Sequence, residues 1–251
     1  MESTQFKKAI ELTFGDLITQ FEEGEEFAFY EYGPKVMTRV GYSTNISPQI
    51  VKQAAKNKVD LIITHHDAWD FVFGMKEQCH SLLKEFGINH FFVHLPLDYA
   101  EFGTCNSLFK ALGVSHLIQN STHHEGGSLP GIGELMVPLT FEEFSERISM
   151  ALNEDIKSWK NSENLIKRVG IITGAGNSTV NIRDAFHAGC DVYITGEKTL
   201  YSVQYAQFIG LNLIVGSHTF TEIFGVRALA DKVKELFSYL EIVELEEGHF
   251  E

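Results

Sequence analysis

The chain has 251 residues, 44% hydrophobic and 22% charged, enough for one large α/β domain or two small ones with a core of ordinary size. Its formal net charge of −14 argues against the basic footprint that nucleic-acid binding needs, while leaving room for a pocket made positive by metal ions. Cys79, Cys105 and Cys190 are the three cysteines and form no CxxC pair, which excludes a thiolate zinc cluster of that spacing and gives no disulfide framework.

The first segment, MESTQFKKAIELTFGDLI, reads as a polar amphipathic helix rather than a signal peptide. No apolar run approaches the ~20 residues that cross a bilayer. No membrane partner is therefore expected, and the expected location is cytoplasmic.

Further along, the chain repeats itself. Residues 39–66 read RVGYSTNISPQIVKQAAKNKVDLIITHH, and residues 168–197 read RVGIITGAGNSTVNIRDAFHAGCDVYITGE. Each copy opens with Arg-Val-Gly and an apolar strand. A polar turn with capping residues follows, Ser47-Pro48 in one copy and Ser178-Thr179 in the other, and then an amphipathic helix. Each copy closes on a second strand, DLIIT or DVYIT. The spacing predicts βαβ units in a buried, largely parallel sheet.

The correspondence extends through Gly87-Ile88-Asn89 and HFFVHLPLD, matched by Gly210-Leu211-Asn212 and LIVGSHTFTE. Both copies then reach Phe-Gly, at 102–103 and 224–225, and a helix, TCNSLFKAL or VRALADKVKEL. The segment between carries a Gly-rich patch, GGSLPGIGELMVPL, and a helix from Thr140 with Glu143 at the capping-box position. The expected fold is one α/β domain over residues 1–251. It has two βαβ-containing repeats, about 36–113 and 166–240, related by pseudo-twofold symmetry. Mixed sheets are flanked by helices, and residues 114–165 link the repeats.

The strand at 61–63 stops on His65 and His66. Neighbouring strand residues face opposite ways, so at a strand end the two imidazoles should diverge. That suits two ions ~3.5–4 Å apart, each taking one ring. Asp67 and Asp70 lie in the same loop. The later strands add His94 with Asp98, and His218 with Glu222. An i, i+4 pair shares a helical face. In the first copy Pro96 speaks against a regular helix, so that pairing is expected to depend on a loop. His65, His66, Asp98, His218 and Glu222 thus form a five-ligand set at strand ends, with His94 close behind. Imidazole with carboxylate suits zinc, manganese, iron or cobalt rather than calcium or magnesium, and leaves positions open for water or substrate.

Each of these features has an ordinary explanation. A lone His at a strand end is commonly structural, and HxxxE arises by chance in many helices. The metal reading rests on joint placement after three strands of a duplicated frame. His123-His124 reads as plain polar loop. GAGNS at 174–178 reads either as a phosphate-cradling turn or as a tight strand–helix connection. Glu197 stands where His66 stands in the first copy, to line the cleft or to cap the next helix. Lys198 reads as a solvated lysine or as a charge for an anionic substrate.

DLIITHHDAWD, HLPLDYAEFGTCNSLFKALG, DVYITGEKTLYS and GLNLIVGSHTFTE together resemble the NIF-three-like dinuclear-metal family, the GTP cyclohydrolase 1 type 2 homologues. The resemblance runs from about residue 36 to 240. It implies two interlocked repeats, a toroidal homohexamer and two metal ions in a cleft; with this donor set zinc is expected first and manganese or iron next. Its ligands fall on His65, His66, Asp98, His218 and Glu222, with His94 at the edge of the site. The chain departs from the family in two places. EEFAFYEYGPKVM replaces a Trp-Asp-Asn-Gly-Leu segment, and Leu200, Tyr201 and Gln204 follow TGE where many members carry histidines. The resemblance implies a metal-dependent hydrolase of a small, nucleotide-like substrate, with His94 moving protons. The competing readings are a metal-binding scaffold or metallochaperone with protein partners, and metals that serve only to join the repeats.

Overall fold

The computed structural model describes residues 1–123 and 127–249; His124 of the polar loop lies outside them. The chain forms two compact units. One comprises Met1–Gly103 with Gly225–Gly248, and the other Thr104–Phe224 with the residues from 249.

The first unit contains α1 (Ser3–Phe14), β1 (Phe27–Tyr30), β2 (Arg39–Ser43), α2 (Pro48–Lys56), β3 (Leu61–Thr64), α3 (Met75–Phe86), β4 (Asn89–Val93) and the short α4 (Leu95–Tyr99). The second contains α5 (Thr104–Ala111), β5 (Val114–Gln119), β6 (Gly131–Leu139), α6 (Phe141–Leu152), β7 (Lys157–Trp159), β8 (Ile166–Ile172), α7 (Thr179–His187), β9 (Val192–Thr195), α8 (Leu200–Ile209) and β10 (Asn212–Val215). Helix α9 (His218–Leu236) starts in the second unit and ends in the first, which β11 (Glu241–Glu244) completes.

The two sheets run β1-β4-β3-β2-β11 and β5-β6-β8-β9-β10-β7. Their centres are the same motif, β2-α2-β3-α3-β4 and β8-α7-β9-α8-β10, with parallel pairing throughout. In each sheet the strand preceding the motif lies antiparallel on its last strand, β1 on β4 and β7 on β10. The central strands β3, β4, β9 and β10 are buried along their whole length, as continuous apolar runs covered on both faces should be. Helices cover them through apolar clusters such as Ile50, Val51, Ala54, Ile62 and Leu83 in the first unit and Ile182, Ala185, Tyr193, Ala206 and Leu213 in the second.

The duplication extends to hydrogen bonds. Asp60 Oδ2 accepts from the amides of Thr38 and Arg39, at 2.7 and 3.0 Å, and Asp191 Oδ2 accepts from those of Lys167 and Arg168, at 2.9 and 2.7 Å. Arg39 donates to the Asn57 carbonyl at 2.6 Å and Arg168 to the Ala188 carbonyl at 2.8 Å, tying each strand to the end of the helix that follows it. Asn89 Oδ1 and Asn212 Oδ1 each accept backbone amides from the segment leading into their unit's motif, Gly33 in one and Asn161 with Ser162 in the other.

The capping expectations hold. Ser47 and Ser178 accept from the Ile50 and Val180 amides, and Thr140 with Glu143 forms the capping box of α6. Two expectations change. Residues 95–99 do form a helix, because Pro96 sits in its first turn, where a missing amide costs nothing. Phe224-Gly225 does not precede a helix as Phe102-Gly103 does; α9 runs through it without a break. The three cysteines are buried and form no disulfide. Among the described residues no helix is long and apolar enough to cross a membrane.

Candidate metal centre

In the first unit, β3 ends at Thr64 and the chain bends sharply. The amides of His65 and His66 both donate to the same carbonyl, Thr44 O, each at 3.0 Å. The Thr64 hydroxyl donates to His66 O at 2.6 Å. This bend cancels the strand alternation. The two rings do not diverge as expected; their centroids lie 4.5 Å apart at 49°. His94 leaves the end of β4 and brings its ring to 5.0 Å from His65 and 5.4 Å from His66. One nitrogen from each of these rings lies within 4.8 Å of the others. Asp98, buried on α4, places Oδ1 3.5 Å from His65 Nε2.

In the second unit, His218 and Glu222 occupy the first turn of α9 and belong to a further candidate group. Their spacing works as expected, with His218 Nε2 3.3 Å from Glu222 Oε2. Gly174 makes room for the pair. It adopts φ +62°, and a β-carbon there would stand 2.1 Å from Glu222 Oε1 and 2.8 Å from His218 Nε2. The GAGNS turn is therefore packed against an imidazole–carboxylate pair, which favours the tight-connection reading over the phosphate cradle.

All four rings are braced in the same way. His65 Nδ1 lies 3.0 Å from Val93 O, His66 Nδ1 2.8 Å from Asn45 Oδ1, His94 Nδ1 3.0 Å from Glu26 Oε2, and His218 Nδ1 2.8 Å from Glu197 Oε1. Asn45 Nδ2 donates to Glu247 at 2.9 Å, which fixes its amide so that Oδ1 must accept. Each Nδ1 therefore carries a proton that its acceptor holds in place. A carbonyl or carboxylate behind the far nitrogen is how metal-binding histidines are oriented.

Electrostatics agree. Burial works against a charged His218, yet Glu222 and Glu197 more than offset it and push the pKa up to about 11. The hydrogen bond from His218 in turn holds Glu197 below the usual carboxylate range. The two carboxylates thus make the surroundings of His218 favourable to positive charge. The donor chemistry, imidazole and carboxylate without thiolate, fits zinc, manganese or iron.

Some candidates fall away. Asp67 pairs with Lys76 at 3.1 Å and accepts from the Tyr30 hydroxyl at 3.1 Å, and Asp70 pairs with the same lysine at 3.2 Å, so the loop carboxylates are committed elsewhere. Lys198 is exposed. Glu197 does not cap α8, which Thr199 caps; it braces His218 and accepts from Asn177 at 2.8 Å. Sequence reasoning missed Glu26 and Asn45. Neither lies at ligand spacing from a histidine, and Glu26 sits in the segment that departs from the family.

The Duf34/NIF3 (NGG1p interacting factor 3) family model matches residues 32–248. A Haemophilus influenzae protein named GTP cyclohydrolase 1 type 2 homolog is 30% identical over 200 residues, covering 77% of this chain and 78% of its own. Among solved structures, one from Thermus thermophilus superposes with a TM-score of 0.80 at 22% identity, covering all of both chains. A Bacillus cereus protein related to NIF3 gives 0.80 at 14% identity, covering 100% of this chain and 98% of its own. The match of the family model across most of the sequence places this chain in the Duf34/NIF3 family.

Proposed function

We propose that the protein is a metal-dependent hydrolase of a small, nucleotide-like substrate, similar in activity to what the name of its GTP cyclohydrolase 1 type 2 relatives suggests. His65, His66, Asp98, His218 and Glu222 would hold two divalent ions, zinc first and manganese or iron next. The observation that supports this reading is the shared bracing of four histidines, each Nδ1 tied back to an acceptor as in metal-binding imidazoles. Bound divalent ions supply Lewis acidity and a water made acidic enough to attack near neutral pH.

The chain's own residues do the rest. Asn45, Glu197 and Val93 O hold the ligand rings in orientation. His94 is 41% exposed at its side chain, braced by Glu26, and is the group that reaches solvent and moves protons. Assembly as a homohexamer in the cytosol completes the proposal.

The test is metal content and turnover. Protein loaded with zinc, manganese or iron should bind about two ions per chain. It should hydrolyse some member of a nucleotide and phosphoester panel, and His65→Ala should lose both. Full metal loading without turnover above the His65→Ala control would refute the hydrolase and favour a metal-binding scaffold. Sedimentation reports the assembly.

A further inference from the structure

The loop from β3 to α3, residues 67–74, reads DAWDFVFG. It turns large apolar rings to solvent: Phe71 is 74% and Phe73 98% exposed. Soluble proteins bury most such surface, and contiguous exceptions mark binding sites. This loop is braced. Ala68 is buried in the unit's core, and Lys76 ties Asp67 to Asp70. Turn bonds run from the Val72 amide to Trp69 O at 3.2 Å and from the Met75 amide to Val72 O at 3.0 Å.

The rings form a series. Trp69 lies 4.5 Å from His66 at 39°, and Phe71 lies 5.4 Å from Trp69 at 30°. These separations are those of interacting aromatic pairs. The series begins on a candidate metal ligand and ends in solvent. A flat conjugated ring can extend such a series from its solvent end, since every base has a π-face; an aliphatic group gains only contact area.

We propose that Trp69 and Phe71 form a stacking platform that recognises the flat heteroaromatic part of the substrate, a purine- or pyrimidine-like ring, at the solvent end of the series that starts on His66. The inference deepens the hydrolase reading and rests on it for the substrate's role, while the stacking itself is separately measurable.

The experiment uses zinc-loaded protein carrying Trp159→Phe, which leaves Trp69 as the sole tryptophan. Guanosine monophosphate and uridine monophosphate are titrated against ribose phosphate, which has no base. The nucleotides should quench Trp69 emission saturably, and ribose phosphate should not. By calorimetry Trp69→Leu should weaken nucleotide binding about 5- to 150-fold, the range for losing one base–aromatic stack, and Trp69→Phe should keep most of it. Circular dichroism and zinc content of every variant report the fold and the metal site separately. A parent that binds no zinc but still shows nucleotide quenching would sink the hydrolase and uphold the platform. Quenching by neither nucleotide, equal binding of ribose phosphate, or parental affinity in Trp69→Leu would overturn the platform. So would Phe71→Ser or Phe73→Ser altering self-association with nucleotide binding unchanged, which would assign the loop to a contact between copies of the chain.

Discussion

Gly174→Ala separates a backbone requirement from a side-chain collision. Gly174 has φ +62°, where a β-carbon costs about 1–2 kcal/mol. Gly210→Ala carries the same kind of cost at φ +72°, and its new β-carbon would meet nothing nearer than Asn161 O at 3.8 Å. At Gly174 the new carbon would instead stand 2.1 Å from Glu222 Oε1, inside the roughly 3.5 Å of normal packing. The carboxylate must shift by more than 1 Å by this arithmetic, and at 5% exposure Glu222 has little solvent to swing into. Gly210→Ala should lower Tm by about 2–8 °C, at about 2–4 °C per kcal/mol for a chain near this size. Gly174→Ala should lower it further. It should also weaken zinc at least 10-fold by competition with a chromophoric chelator, a loss of the size seen when ligand supports are removed; Gly210→Ala should bind zinc as the parent does. If Gly174→Ala binds zinc with parental affinity and melts with Gly210→Ala, the packing of this turn against a ligand pair is wrong.

Glu197→Ala should weaken metal binding about 10- to 100-fold by freeing the His218 ring, and Glu197→Gln less, since its amide oxygen can still accept; metal titration at fixed pH decides, and equal affinity in all three proteins refutes the bracing. His90 is fully buried, with Nε2 at 2.8 Å from Thr64 Oγ1. That hydroxyl already donates to His66 O, so Nε2 must carry the proton, and a second proton on the ring would have no acceptor in its pair with Thr64. Burial accordingly lowers its pKa to about 4 from 6.5. Stability from neutral His90 is complete above pH 6.5 and is lost as pH falls toward 4, by roughly 3 kcal/mol. Melting curves across that window should show this slope in the parent and a flatter one in His90→Leu; identical slopes would refute it. Chelation should leave far-UV circular dichroism intact, since each unit has its own apolar core; collapse on chelation would mean that metal holds the fold together.

The parts of the fold legible in sequence were those under two constraints at once. A buried parallel strand must be apolar throughout, and its helix must carry a cap, so DLIIT, DVYIT, Ser47-Pro48 and Ser178-Thr179 stood out. The edge strands β7 and β11 are short and largely exposed, and exposure erases the apolar pattern. The i, i+4 geometry of His218 and Glu222 was readable because a helix is local. The convergence of His65 and His66 was not, since it depends on Thr44 O, some twenty residues away and set by tertiary contact. Pro96 misled because its effect on a helix depends on position, which spacing alone does not supply. Glu26 and Asn45 were hidden for the same reason as Thr44: a hydrogen bond to a ring nitrogen has no sequence period.

The duplicated frame also explains how one scaffold yields unlike halves. His94 with Asp98 and His218 with Glu222 occupy the same place after the third strand of each motif, four residues apart in both. The position after the second strand differs: His66 in the first unit, Glu197 in the second. In the first unit that position presents an imidazole braced by Asn45; in the second it presents the carboxylate that braces His218. The brace for His94 must then come from elsewhere, and Glu26, just before β1, supplies it at 3.0 Å. A histidine facing a cation needs an acceptor behind it. An imidazole whose Nδ1 donates to Asn45 does not offer its neighbour the carboxylate that Glu197 offers His218, and Glu26, outside the repeat, fills that role. On this argument Glu26→Ala should loosen the His94 ring while leaving His218 untouched, and Glu197→Ala should do the reverse. Imidazole NMR signals assigned by His94→Gln and His218→Gln would separate the two, and a crossed response would break the equivalence.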